Sequence, residues 1–265
     1  VKTSQPTAGI SRNGLPYNRL GQGTKVLIVF NGLQPESKPL YGLNARMMLR
    51  TYDFLREEYT SYVMGRRPGL PEGYSLKDMA DDYAKMVQEE LQPPVDVIGL
   101  STGGSIAFHF AADHPDLVRR LVLHSSAHAL SEEAREGMKR VAHLARAGRW
   151  REAMAVMLGY TNRPSWANRV SAAVGSVFMA LMAPEDPSDL IVTIEAEDKL
   201  DFRERLREIA APTLVIAGDQ DRFYSETLFR ETAQGIPNAK LVLYQGMGHP
   251  ARGRQFARDV ISFLT

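Results

Sequence analysis

The sequence has no cysteine in 265 residues, which removes disulfide bridges, thiolate zinc sites and a cysteine nucleophile together. It also lacks a surplus of either charge: 32 Lys and Arg stand against 31 Asp and Glu. The pairs Arg66-Arg67 and Arg119-Arg120 are isolated rather than parts of a basic stripe, so no nucleic-acid partner is expected. Long apolar runs are missing too. The best candidate, around Val170 to Ala183, is too short and too interrupted by serine to span ~30 Å of hydrocarbon, so no membrane partner is expected. The first ten residues, VKTSQPTAGI, contain no apolar signal-peptide stretch. Cytoplasmic location is the expectation, with a removed leader left open by the missing initiator methionine.

The remaining composition, 44% hydrophobic, is enough to bury a large core, and the length fits one α/β domain carrying an insertion. Short β-branched and leucine-rich runs recur at KVLIVF (25–30), SYVMG (61–65), VDVIGL (95–100), RRLVLHS (119–125), PTLVIAG (212–218) and AKLVLYQ (239–245). Such runs read as strands covered on both faces. Between the second and third, SLKDMADDYAKMVQEEL places Leu76, Met79, Tyr83, Met86 and Val87 at helical spacing, with Ser75 as N-cap and Pro93 at the exit. Strand, helix and strand in alternation predict a mostly parallel central sheet flanked by helices. Residues 128–208 break the alternation with helical patterns rich in Ala and Met, so they are expected to form an inserted helical cap, with 1–127 and 209–265 forming the core. Within the cap, VSAAVGSVFMALM is apolar nearly all round and is expected to be buried on more than one side.

The segment VDVIGLSTGGSIAFHF sets Ser101 between a strand run and a helix run, with Gly99 before it and Gly103 and Gly104 after it. Ligands of open α/β sheets bind beyond the carboxyl ends of the strands, where Ser101 falls. Neighbours without a Cβ let strand and helix approach while the serine takes a strained conformation that pushes its hydroxyl outward. The Thr102 N–H, at the positive end of the following helix, then points to where an oxyanion would form. Two rival glycine motifs fail. A dinucleotide fingerprint requires glycine at position 101 and an acid about 20 residues on, and a phosphate-binding P-loop requires a lysine.

A serine hydroxyl is a poor nucleophile without a base, and the base needs an orienting acid. Of six histidines, His249 alone follows a strand run within a glycine loop, LVLYQGMGHPARG. The acid is expected after a strand on the same side, where PTLVIAGDQDRFY offers both Asp219 and Asp221.

With GLSTGG, GDQD and GMGHP in the order Ser, Asp, His, the chain resembles the α/β-hydrolase fold superfamily, in particular its esterase-like serine hydrolases with a helical cap. The resemblance covers nearly the whole chain. It implies Asp221 as the acid, three residues after Gly218, and the backbone N–H groups of Leu33 and Thr102 as the oxyanion hole. It also implies cleavage of a small, largely hydrophobic ester-type substrate by Ser101, His249 and Asp221 through an acyl-enzyme, with no cofactor and no metal. Asn31 stands where relatives commonly carry histidine, and it is expected to brace that loop. Asn31, His128, Met157 and Phe178 are the candidates for lining the substrate pocket. The same fold also hosts lyases, carbon–carbon bond hydrolases, perhydrolases, cofactor-free haloperoxidases and catalytically quiet ligand-binding members, which spacing does not separate.

Overall fold

A strand covered on both faces needs apolar side chains on both sides of its pleat, and Lys25–Phe30 meets that need: Ile28 and Phe30 enter one core, Leu27 and Val29 the other. The computed structural model describes residues 6–42, 45, 49–161, 166–180 and 183–265. Eight strands form one sheet: β1 (Thr7–Ile10), β2 (Pro16–Leu20), β3 (Lys25–Phe30), β4 (Tyr59–Met64), β5 (Val95–Leu100), β6 (Val118–His124), β7 (Thr213–Gly218) and β8 (Ala239–Tyr244). They lie in the order β1-β2-β4-β3-β5-β6-β7-β8. All pairings from β4 to β8 are parallel, as expected, while β1 and β2 add an antiparallel edge that the apolar pattern did not reveal. Both are short, β1 has no buried residue and β2 is buried only at every other position, so neither carries a buried run to announce it.

Helices α1 (Leu76–Glu90) and α2 (Thr102–Asp113) cover the Ile28 and Phe30 face, whereas α8 (Arg254–Leu264) covers the opposite one through Phe256, Val260 and Leu264. The start of α1 is a capping box: Ser75 Oγ accepts the Asp78 N–H at 3.1 Å and Asp78 Oδ2 accepts the Ser75 N–H at 2.9 Å. A further helix, α7 (Glu226–Gly235), lies between β7 and β8 and sends Phe229 into the first core.

Between β6 and β7 the described residues are mostly helical. The helices are α3 (Glu132–Arg146), α4 (Trp150–Gly159), α5 (Trp166–Ala180) and α6 (Ser188–Asp198). The first of these, α3, packs on α4 and α6, α4 packs on α5, and α6 also touches α1. The expectation for α5 needs correction. Trp166 is 80% exposed and Val170, Val174 and Val177 are exposed with it, forming one outward stripe at helical spacing. Its packing is on the α4 side, where Gly175 faces Leu158 closely. Among the described residues, no helix is long and apolar enough to cross a membrane.

Candidate active site

The turn from β5 into α2 is strained where the glycine pattern placed it. Ser101 has φ 51° and ψ −125°, a left-handed φ that costs a non-glycine residue roughly 1–3 kcal/mol. The surroundings hold it there. The Ser101 N–H donates to the His124 carbonyl at 3.0 Å, and the Ser101 carbonyl accepts the Gly104 N–H at 2.7 Å. A Cβ at Gly103 would run into the Phe30 carbonyl, and one at Gly104 into the Ser126 side chain, so only glycine lets α2 pass this close to the sheet. Thr102 is the first helical residue, so its N–H has no acceptor within the helix.

The loops after β7 and β8 bring acid and imidazole together. Asp221 Oδ2 lies 2.7 Å from His249 Nδ1, and Asp221 Oδ1 accepts the N–H groups of Phe223 at 3.0 Å and Tyr224 at 3.3 Å. Its side chain is fully buried. An acceptor on Nδ1 puts the proton there and leaves Nε2 with the lone pair. Asp219 does something else: its Oδ1 accepts the Gly246 N–H at 2.8 Å, bracing the loop that carries His249. The Phe223 ring packs against the imidazole, and the His249 N–H donates to the Thr161 carbonyl from the helical insertion at 2.9 Å. Two residues on, Ala251 is pinned from β6. His124 Nε2 donates to the Ala251 carbonyl at 2.6 Å, and Ser125 Oγ accepts the Ala251 N–H at 2.9 Å. Burial pushes the His124 imidazole down to about 3, so it stays neutral and accepts from the Tyr52 hydroxyl at Nδ1.

Ser101, Thr102, Asn31, Leu33 and His249 line one cavity of about 250 Å³. The helical insertion supplies Leu130, Met138, Met157, Leu158, Thr161 and Glu197 to the same wall. Asn31 braces its loop as expected, its Oδ1 accepting the Gly32 N–H at 3.0 Å. Met157 faces the cavity, whereas the Phe178 side chain lies outside the described residues. His128 does not line the cavity. Its backbone N–H and Nδ1 both meet Thr232 Oγ1 on α7, at 3.0 and 3.1 Å, and its ring is fully buried there.

One cavity residue was invisible to pattern reading. Glu197, near the end of α6, is buried, with Oε2 accepting from Thr102 Oγ1 at 2.8 Å and Oε1 from Ser105 Oγ at 2.7 Å and Tyr224 OH at 3.2 Å. Burial pushes this carboxyl above the ordinary glutamate value, while the three hydroxyls and the charge of Arg66 pull it back. An acid at a helix end is ordinarily solvated, and only the tertiary fold turns this one inward. Among the described residues no cluster of three His, Asp or Glu is arranged to hold a metal ion.

Comparisons with known proteins give the family. A sequence-family model described as alpha/beta hydrolase fold matches residues 63–251, well over half of the chain, and the chain belongs to that family. The protein is a hydrolase: most of its curated relatives are named hydrolases or esterases, and one, of Kitasatospora aureofaciens, is named a non-heme chloroperoxidase. One relative, "Putative carbamate hydrolase RutD" of Klebsiella pneumoniae, is 28% identical over 184 residues, 68% of each chain. The 2-hydroxy-6-oxononadienedioate/2-hydroxy-6-oxononatrienedioate hydrolase of Pseudomonas sp is 23% identical and spans 97% of this chain and 94% of its own. Among solved structures, the enol-lactonase of Burkholderia xenovorans LB400 superposes with TM-score 0.79 at 19% identity, covering 97% of this chain and 99% of its own.

Proposed function

We propose that the protein hydrolyses a small, largely hydrophobic ester-type substrate, with Ser101 as nucleophile, His249 as base and Asp221 as the acid that orients it. The observation that carries this reading is the 2.7 Å contact between Asp221 and His249, in a histidine that shares its cavity with a serine held at positive φ. Ser101 Oγ attacks the carbonyl carbon while its proton passes to His249 Nε2. The oxyanion is met by the Leu33 and Thr102 N–H groups. On collapse, the ester C–O bond breaks and the alcohol leaves with the proton from Nε2. Water then attacks the acyl-enzyme with the same histidine as base, releasing acid and free Ser101.

The cavity supports the substrate class. Its walls are mostly apolar, and at about 250 Å³ it is smaller than sites for drug-sized ligands, which run to roughly 300–1,000 Å³. Six of its lining residues come from the helical insertion, so this insertion acts as a cap that sets substrate choice. Hydrolysis beside a ketone in an oxo-dioate, as named for the Pseudomonas relative, is the second reading. A dioate calls for cationic partners, and the described residues lining the cavity include no Lys or Arg and one carboxyl, Glu197. An uncharged ester suits these walls better.

The test is pre-steady-state release of nitrophenolate from a short-chain p-nitrophenyl ester. Wild type is expected to give a burst proportional to enzyme, and Ser101→Ala none. Turnover of the ester by a folded Ser101→Ala variant at the wild-type rate would overturn the reading.

A further inference from the structure

The pair Arg66-Arg67, just beyond the end of β4, splits into two very different environments. Arg67 forms a bidentate pair with Asp82, as a half-exposed arginine commonly does. Arg66 is 1% exposed, and no carboxylate among the described residues lies within ion-pair distance of it. Its Nε is buried without an acceptor, and burial pulls its guanidinium below the usual arginine value. The hydrogen bond it does make runs from Nη1 to the Gly32 carbonyl, at 3.0 Å. Glu197 and Asp189 act on this charge only from a distance, a buried cation without a direct ion pair is costly, and for fold stability an apolar side chain of similar volume would serve as well or better.

The position of that carbonyl gives the charge a use. Gly32 crosses directly over the elbow: a Cβ on it would sit 3.4 Å from both the Ser101 Cβ and the Leu100 carbonyl. The peptide joining Gly32 to Leu33 is trans, so its C=O and its N–H point in opposite directions. Holding the Gly32 oxygen on the Arg66 side therefore turns the Leu33 N–H the other way, and among the described residues nothing accepts from it. The preceding N–H, of Gly32, is already engaged by Asn31 Oδ1. Leu33 is thus the donor this loop has to offer, and both Gly32 and Leu33 line the cavity.

We infer that Arg66 is a positioning residue for the oxyanion hole, fixing the Gly32–Leu33 peptide so that the Leu33 N–H faces the reacting carbonyl oxygen. It acts in two ways. The hydrogen bond sets the orientation of the peptide before reaction, and the cation behind the C=O polarises that peptide so that its N–H end becomes more positive. Both effects grow in value as negative charge develops on the substrate oxygen, and both are small for the neutral bound ester. This inference rests on the serine-hydrolase reading above.

The test compares wild type, Arg66→Met, Arg66→Lys and Ser101→Ala on a short-chain ester, together with inhibition by a trifluoromethyl ketone, whose adduct with serine carries the oxyanion. Losing a direct oxyanion donor costs ~10²–10³-fold in kcat, so losing the residue that aims one is expected to cost about 10- to 100-fold. In Arg66→Met kcat falls, KM stays within about twofold, and the inhibition constant for the ketone rises by the same factor as kcat falls. Arg66→Lys, which keeps charge and a donor, lies between Met and wild type in both quantities. It also carries the test if the Met variant does not fold. A wild-type kcat in folded Arg66→Met overturns the inference, as does a fall in kcat with unchanged ketone affinity. Inactive Ser101→Ala beside fully active Arg66→Met removes the role of Arg66 alone, whereas active Ser101→Ala removes the serine reading and this inference together.

Discussion

Asp221 Oδ2 lies 2.7 Å from His249 Nδ1 while the other oxygen of the same carboxylate accepts two backbone N–H groups, from Phe223 and Tyr224. The carboxylate is therefore held at both ends, which suits the proposed role of orienting the ring. Asp219, two residues earlier, spends its hydrogen bond on the Gly246 N–H instead. The sequence admits either acid by position, and this division of labour separates them.

Asp221→Asn is accordingly expected to lower kcat by ~10²–10⁴-fold, because an amide at this place can donate to Nδ1 and trap the wrong tautomer. Asp219→Asn keeps an acceptor for Gly246 and is expected to cost about tenfold or less. Steady-state kinetics on one ester suffice. The reverse order of severity would make Asp219 the functional acid.

Much of the fold was legible because burial on both faces leaves a strong mark: short apolar runs within β3, β5, β6 and β7 are buried, and β8, though only half-buried, carries the same kind of run in Leu241 to Leu243. Ser101 and His249 were legible because tight turns need glycine. The edge strands β1 and β2 carry no such mark. Arg66 and Glu197 were illegible for a different reason. Local pattern predicts solvent for a charge near a strand end or helix end, and only the tertiary fold turns these two inward, Glu197 against the Thr102 and Ser105 hydroxyls of α2. His128 departs from the pocket expectation for the converse reason: a histidine near a strand end can face either the cleft or the flanking helix, and Thr232 on α7 takes it.

Met157 lies in the cavity wall. Met157→Ala is expected to shift the preference among straight-chain esters toward longer chains, by about 10-fold in the ratio of kcat/KM values, since a single methylene group in an apolar pocket discriminates by about that much or more. Kinetics across a C2 to C8 series measure it. An equal loss on every chain length would make Met157 a packing residue only.

Burial of His124 contributes stability that is lost toward acid pH. The His124 imidazole is pushed down to about 3 in the folded protein, below its value in the unfolded chain, so the unfolded state binds the extra proton first as pH falls. Stability is then lost from about pH 6.5 downward, at roughly 1.4 kcal/mol per pH unit for this one proton. His109 and His128, also lowered chiefly by burial, act in the same direction, and Glu197, raised by burial, acts in the opposite one. Urea unfolding between pH 6 and 4 is expected to give a slope that falls by about one proton in His124→Gln. An unchanged slope would mean that folded His124 is already protonated.

The central claim is that Ser101 is the nucleophile, and the most direct measurement is peptide mass spectrometry after reaction with a small alkyl fluorophosphonate. The expected result is one stoichiometric phosphonyl adduct on the peptide containing Ser101, formed as activity is lost. Ser101→Ala is expected to take up no adduct and to lose ~10³-fold or more in turnover while unfolding at the wild-type urea concentration. An adduct on another residue that tracks the loss of activity, with Ser101 unmodified, would contradict it.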